Sequence, residues 1–195
     1  MKKILSVILI ILCFLFIPAQ VQAASPKKQV TKQAKSVIKA CKSYDQQALF
    51  KHLKKTKGFY YIKDDTWNQY IKENKRHDKI KIKSVSVEDN KAWVFIEIKT
   101  INYYELIADC ISKELKRSGP IDFDRMENDI LNKMAKYNSS WKKHQEEQYM
   151  DIYFQKVNGK WKISKNNEDF HFLYDSGAGK VLKDFSKHPY DFYLR

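Results

Sequence analysis

Residues 148–164, QYMDIYFQKVNGKWKIS, carry the most specific structural signal in this chain. Apolar and polar residues alternate on both sides of Asn158-Gly159, and this dipeptide between alternating segments is typical of a β-hairpin with a two-residue turn. The turn places Phe154 opposite Ile163, so one face of the hairpin is apolar. That face contains Met150, Ile152, Phe154, Trp161 and Ile163. We therefore predict strands over 148–157 and 160–164.

Two further strands, 79–87 and 92–101, are predicted upstream, joined by a turn at 88–91, where Asp and Asn favour tight turns. In the second strand Ala92, Val94, Ile96 and Ile98 alternate toward one face. The first strand changes parity, because its isoleucines occupy even positions and its valines odd ones. A β-bulge at Lys83-Ser84 restores a single buried face and bends the strand.

Helical periodicity precedes the first strand and separates the second from the third. The first predicted helix covers 27–44, with Val30, Ala34, Val37, Ile38, Cys41 and Tyr44 on its apolar face. A second helix is predicted over 46–55, capped by Asp45 and ended by Gly58. A short strand at 59–62 follows, and a third helix runs from Asp64 or Asp65 to Lys75. Helices at 103–116 and 122–137, the second with Phe123, Met126, Ile130, Met134 and Tyr137 facing inward, form a hairpin inserted between strands. A final short helix is predicted near 180–186.

The second helix carries Tyr44-Asp45-x-x-Ala48-Leu49-Phe50-x-x-Leu53, and the sheet ends in Val157-Asn158-Gly159-Lys160-Trp161-Lys162-Ile163. This order of elements resembles the nuclear-transport-factor-2-like (NTF2-like, cystatin-like cone) superfamily, in particular its uncharacterised exported members from Gram-positive bacteria. The resemblance implies an α+β cone in which the N-terminal helices pack in a curved antiparallel sheet. It also implies a pocket, which by position would be lined by Tyr60, Trp67, Tyr104, Phe154 and Trp161. The alternative is that these aromatic residues are plain core.

The N-terminus has the pattern of a secretory signal peptide. Lys2 and Lys3 precede an apolar run over 4–17, and small residues follow at Ala23 and Ala24. The run is shorter than the roughly 20 residues that span a bilayer, which disfavours a transmembrane anchor. Cys13 lies within the run, behind bulky residues, which disfavours lipid attachment. We therefore expect a signal peptide at 1–24, a cone domain at 25–166 with the helical hairpin at 103–140, an aromatic extension at 167–195, and secretion to the outer side of the envelope.

The positive charge is concentrated in the first third of the mature chain. The full sequence has 37 basic and 23 acidic residues, but residues 84–195 contain 18 of each. Within the first helix, Lys28, Lys32, Lys35, Lys39 and Lys42 lie on the face opposite the apolar one. Such asymmetry attracts anionic partners, and for an exported protein these are anionic cell-wall polymers, lipid headgroups or an acidic envelope protein. Nucleic acid is a poorer match, and the alternative is that the lysines only solvate an exposed helix face.

No catalytic set, metal-ligand spacing or cofactor motif is evident in the sequence. The face of the sheet that we assign inward offers only Thr100, Lys156 and Ser164 as polar groups, so no buried general acid or base is expected. Residues 176–180 lack the glycine spacing of a phosphate loop and are interpreted as a flexible turn. Cys41 and Cys110 either form a disulfide in the oxidising exterior or remain as two buried free thiols.

The sequence therefore favours an exported, non-enzymatic binding module with a basic N-terminal face. The alternatives are a small-molecule carrier or enzyme that uses the cone pocket, and a structural partner in an envelope complex.

Overall fold

The computed structural model describes residues 24–54, 62–164 and 168–192. Its helices are α1 (Pro26–Lys42), α2 (Gln46–Phe50), α3 (Asp65–His77), α4 (Tyr103–Leu115), α5 (Phe123–Ser139), α6 (Trp141–His144), α7 (Glu168–Asp175), α8 (Ala178–Lys187) and a 3-10 turn at Pro189–Phe192. Its strands are β1 (Lys79–Glu88), β2 (Lys91–Ile101), β3 (Gln145–Val157) and β4 (Lys160–Ile163). The predicted signal peptide, the Gly58 helix end and most of the strand predicted at 59–62 lie outside the described residues.

The four strands form one antiparallel sheet in the order β1-β2-β3-β4. Phe154 pairs with Ile163 and Lys156 with Trp161, which confirms the register predicted from the Asn-Gly turn. The neighbouring strands β2 and β3 are separated in sequence by α4, α5 and α6, so the helical hairpin is inserted between strands as predicted. The α+β fold class is confirmed.

A bulge interrupts β1 where the parity of its apolar residues changes. Ile82 pairs with Ile96, Ser84 pairs with Phe95, and Lys83 is the extra residue between them. Because a bulge bends its strand and increases its twist, the sheet curves around the helices packed on one face. This curvature was predicted from the alternation pattern alone.

The first core lies between the inner face of the sheet and helices α1, α2 and α7. Val30, Ala34 and Val37 of α1 are fully buried there, and so are Val94, Ile96 and Ile98 of β2. Helix α2 is shorter than predicted, because after Phe50 the chain leaves the helix and Leu53 forms a parallel bridge to Ile163. Backbone pairing with the edge of the sheet therefore replaces the last helical turn.

The second core is helical and is built by α3, α4, α5, α8 and the 3-10 turn. Ile107 and Ile111 of α4 pack with Ile130 and Met134 of α5, as the periodicity predicted. The inward placement predicted for Phe123 is wrong, because it is the first residue of α5 and 60% of it is exposed.

The C-terminal segment belongs to both cores. Phe170, Leu173 and Tyr174 of α7 are buried in the first core, whereas Ala178 and Val181 of α8 are buried in the second. Two helices form where one short helix was predicted, and residues 168–192 are an integral part of the fold instead of an extension of it.

The disulfide considered between Cys41 and Cys110 is not formed, and both thiols are free and buried. The physical reason is that the two residues belong to different cores, Cys41 to the first and Cys110 to the second. Burial raises the pKa of the Cys41 thiol to about 12, so this thiol stays protonated and unreactive near neutral pH.

Candidate functional site

Helix α1 presents a lysine face, which we define as Lys28, Lys32, Lys35, Lys39 and Lys42. Ser25 caps the helix by accepting a hydrogen bond from the amide of Lys28, and Pro26 occupies the first helical turn. The first four lysines are exposed and Lys42 is half-buried, while the opposite face of the helix is packed in the first core. At 1.5 Å per residue the stripe extends over roughly 21 Å of the helix axis.

These five ammonium groups have no carboxylate partner, unlike several other basic side chains of the described residues. Lys81 and Lys83 both pair with Glu97, and Arg117 and Arg125 both pair with Glu114. Further ion pairs join Lys99 to Glu147, Lys113 and Lys133 to Asp109, and Lys180 to Asp184. Across residues 24–54, 62–164 and 168–192, no carboxylate lies within ion-pair distance of a lysine of the lysine face. The face is thus available to an external anion.

The aromatic residues predicted to line a cone pocket are not brought together. Phe154 and Trp161 lie in the first core and Trp67 lies in the second, where its indole Nε1 donates to Glu127 Oε1 at 2.7 Å. The hydroxyl of Tyr104 donates to Asp184 on α8 at 3.3 Å. Tyr60 lies outside the described residues. The four described residues are therefore divided between the two cores, and the sheet face of Phe154 and Trp161 is covered by α1 and α7.

A buried polar cluster occupies the junction of the two cores. Its members are Asn74, Lys75, Asp78, Thr100, Asp175 and Ser176, all almost completely buried. Lys75 forms an ion pair with Asp78 and donates to the carbonyl of Leu173 at 2.7 Å. The side chain of Asn74 donates to Ser176 Oγ at 3.0 Å, and thereby joins α3 to the α7–α8 connection.

Asp175 is the acid that the sequence analysis missed. Its two carboxylate oxygens accept hydrogen bonds from the amides of Gly177 and Gly179, each at 3.0 Å, and so hold the first turn of α8. Burial raises the pKa of this carboxyl to about 7, and the amide hydrogen bonds and nearby Lys75 only partly oppose that rise. An Asp shortly before a helix start is a sequence signal for such a cap, but its burial is not visible in the sequence.

The segment 176–180, interpreted from sequence as a flexible turn, is buried and ordered by these contacts. Ser176 is fully buried with φ 58°, and Gly177 caps α8 with φ 88°. A Cβ on Gly177 would lie 2.7 Å from the Cβ of Tyr104, so the close approach of α4 requires glycine here.

A cavity of about 380 Å³ opens beside this cluster, between the α1–α2 connection, α3 and α7. It is lined by Tyr44, Gln46, Ile62, Asp65, Asn68, Gln69, Lys72 and Tyr174. The rings of Tyr44 and Tyr174 are stacked, with centroids 4.8 Å apart and planes 20° apart. The Tyr44 hydroxyl donates to Asn68 Oδ1 at 2.9 Å. Burial raises the pKa of both tyrosines well above the ordinary range, so both phenols remain neutral.

Neither a metal site nor a membrane span is found in the described part of the chain. No group of three His, Cys, Asp or Glu side chains among those residues is arranged to hold a metal ion. None of the described helices combines the length and apolar character needed to cross a bilayer.

No protein-family model and no curated protein matches this chain. Among solved structures, it is similar to an NTF-2-like protein of unknown function from Shewanella oneidensis, with 12% identity and a TM-score of 0.36 over 71% of this chain and 93% of that one. It is also similar to a candidate lipoprotein, ycdA, from Bacillus subtilis, with 14% identity and a TM-score of 0.33 over 58% of this chain and 38% of that one. These likenesses concern the fold alone. The NTF2-like architecture expected from the sequence agrees with the curved sheet and packed helices described above.

Proposed function

We propose that this protein is an exported, non-enzymatic binding module that holds anionic polymers of the cell envelope on the lysine face of α1. The observation that carries the proposal is the stripe of five lysines without carboxylate partners in the described residues. Elsewhere in those residues, several basic side chains, among them Lys81, Lys99 and Arg125, are paired with carboxylates. The lysine face is therefore a row of five positive charges on one rigid helix, with no carboxylate of the described residues to neutralise them.

The geometry of the stripe suits a linear polyanion. Its lysines recur at intervals of three and four residues, so they form one row along the helix, and a chain with regularly spaced phosphate or carboxylate groups can contact several of them at once. Each contact is weak in water, but several contacts on one rigid helix add, and binding depends steeply on salt because bound counterions are released.

The non-enzymatic part of the proposal is supported by the surroundings of Asp175. Its pKa is near neutral, as for many catalytic acids, but each of its oxygens accepts a backbone hydrogen bond and the side chain is fully buried. We assign this carboxyl to the cap of α8 and not to chemistry on a substrate.

The experiment is retention of the purified protein on isolated cell envelopes over a series of salt concentrations, before and after extraction of the anionic polymers. We expect retention that weakens with salt and disappears after extraction. Replacing all five lysines of the lysine face by Gln should reduce retention at least tenfold.

The matched control replaces five other exposed lysines, Lys91, Lys116, Lys143, Lys160 and Lys187, by Gln and so removes the same charge. Equal loss of retention in both variants would show that only net charge matters, and unchanged retention in the first variant would refute the proposal. If retention survives polymer extraction but is lost after protease treatment of the envelopes, the binding partner is an acidic envelope protein and not a polymer.

A further inference from the structure

The cavity beside the stacked pair Tyr44 and Tyr174 is not explained by polyanion binding. Its volume of about 380 Å³ is within the range of small-molecule sites in proteins. It borders a helix that presents two different faces: Trp67, Ile71 and Lys75 of α3 are buried, whereas Asp65, Asn68, Gln69 and Lys72 form a polar face that lines the cavity.

Backbone strain marks the opposite wall. Tyr44 has φ 51°, a left-handed conformation that is unfavourable for a bulky side chain. This conformation directs the Tyr44 ring onto Tyr174 and its hydroxyl to Asn68, so three separate elements meet at one point. The same conformation ends α1, because the amides of Tyr44 and Asp45 donate to the carbonyls of Cys41 and Ala40, each at 3.0 Å, and so fix the position of the ring beside the cavity.

The chemistry of the lining selects the class of ligand. Gln46 and Gln69 each offer an amide donor and an amide acceptor, and Asn68, whose Oδ1 accepts from Tyr44, has its amide nitrogen left to donate. The two charged residues, Asp65 and Lys72, are of opposite sign, so the lining has no net charge. Such a lining favours neither an anion nor a cation, and an apolar ligand would desolvate the amides without replacing their hydrogen bonds.

A ring that carries several hydroxyl groups matches this lining, which has no net charge, several amide groups and an aromatic wall. Its hydroxyls are both donors and acceptors, as the amides require, and its apolar C–H surface can pack against an aromatic side chain. We propose that this cavity binds a neutral saccharide unit, with its hydroxyls hydrogen-bonded by Gln46, Asn68 and Gln69 and its apolar surface against the half-buried ring of Tyr44. The unit is either a free sugar or one residue of an envelope glycan.

The test uses saturation-transfer NMR and calorimetry on the purified protein, with neutral mono- and disaccharides and short N-acetylglucosamine oligomers as probes. We expect saturable binding that stays the same from about 50 to about 500 mM salt, because the ligand is uncharged. Binding of monosaccharides indicates a free sugar as ligand, whereas binding of the oligomers alone indicates a glycan chain.

The diagnostic variant is Q46A/Q69A, which removes two lining amides outside the core and should weaken binding at least tenfold with an unchanged melting temperature. The control is Q47A/N132A, which removes two exposed amides that do not line the cavity and should leave binding unchanged. The proposal would be overturned if none of the saccharide probes bound, or if the two variants bound them equally. The five-lysine variant should still bind the sugar, so failure of the polyanion proposal and failure of this one are separate results.

Discussion

At the scale of single residues, Asp175 is the group whose state depends most on its surroundings. An aspartate that accepts two amide hydrogen bonds is ordinarily a stronger acid than one in water. Here complete burial outweighs those bonds and raises the pKa to about 7 from 3.8. The carboxyl shares its surroundings with the buried ion pair of Lys75 and Asp78, so its protonation decides the net charge of the polar cluster.

This pKa predicts a specific pH dependence of stability. Between about pH 4 and 7 the folded state keeps a proton on Asp175 that the unfolded chain has lost, so the free energy of unfolding falls as pH rises through this range. The decrease is up to about 4 kcal/mol and is complete above pH 7. Urea unfolding of the protein and of D175N at pH 4.5 to 7.5 checks this, since the two proteins differ only in the carboxyl of Asp175. The stability of the wild type relative to D175N should fall with pH, and a constant difference would mean that burial does not raise this pKa.

At the scale of elements, two glycines with positive φ lie next to the ends of elements, and glycine is required at each position for a different reason. Gly159 has φ 76° in the β3–β4 turn, beside Asn158 with φ 48°, and an added Cβ there would meet nothing within 4 Å. Gly177 has φ 88° at the start of α8, and an added Cβ there would collide with α4. The first position requires only a backbone conformation, whereas the second also requires the absence of a side chain.

Alanine substitution separates the two requirements. We expect G159A to reduce the free energy of unfolding by about 1 kcal/mol, the cost of the left-handed backbone alone. G177A should cost clearly more, about 3 kcal/mol, because overpacking against Tyr104 is added to the same backbone cost. Denaturant unfolding of both variants measures the difference. Equal losses would show that α4 and α8 can move apart without penalty.

At the scale of the whole molecule, the C-terminal helices join the two cores. Helix α7 covers the inner face of the sheet and α8 completes the helical core, with the polar cluster between them. Phe192 packs edge-on against Phe185 at 5.5 Å and closes the second core. The fold therefore needs residues far beyond the last strand.

Two truncations test this dependence. A chain ending at Asn166 loses all buried side chains of α7 and α8, together with the carbonyl that accepts from Lys75, and we expect it not to fold. Among the described residues, a chain ending at Lys187 loses one buried aromatic side chain, Phe192, and should fold with about 3 kcal/mol less stability. Circular dichroism and thermal unfolding report both outcomes. A cooperative transition near the full-length melting temperature in the shorter chain would show that residues 168–192 are dispensable.

The sequence alone determined most of the elements and most of their buried faces. The alternation in β2 and around Asn158-Gly159, the change of parity at Lys83 and the apolar stripe of α1 all follow from the order of neighbouring residues. Such periodicity is a local property, since a strand or helix exposes its faces at a fixed repeat whatever lies against it. The lysine face of α1 could be predicted for the same reason. It lies opposite the buried apolar stripe on the same helix.

Only the tertiary structure decided which elements cover one another. The stacking of Tyr44 on Tyr174, the burial of Asp175, the cavity beside them and the separation of Cys41 from Cys110 all join segments that are distant in sequence. Phe154 and Trp161, two of the aromatic residues expected to line a pocket, are core because α1 and α7 cover the sheet face that these two share. Burial, and with it a shifted pKa or a cavity, depends on packing between elements, which no local pattern encodes.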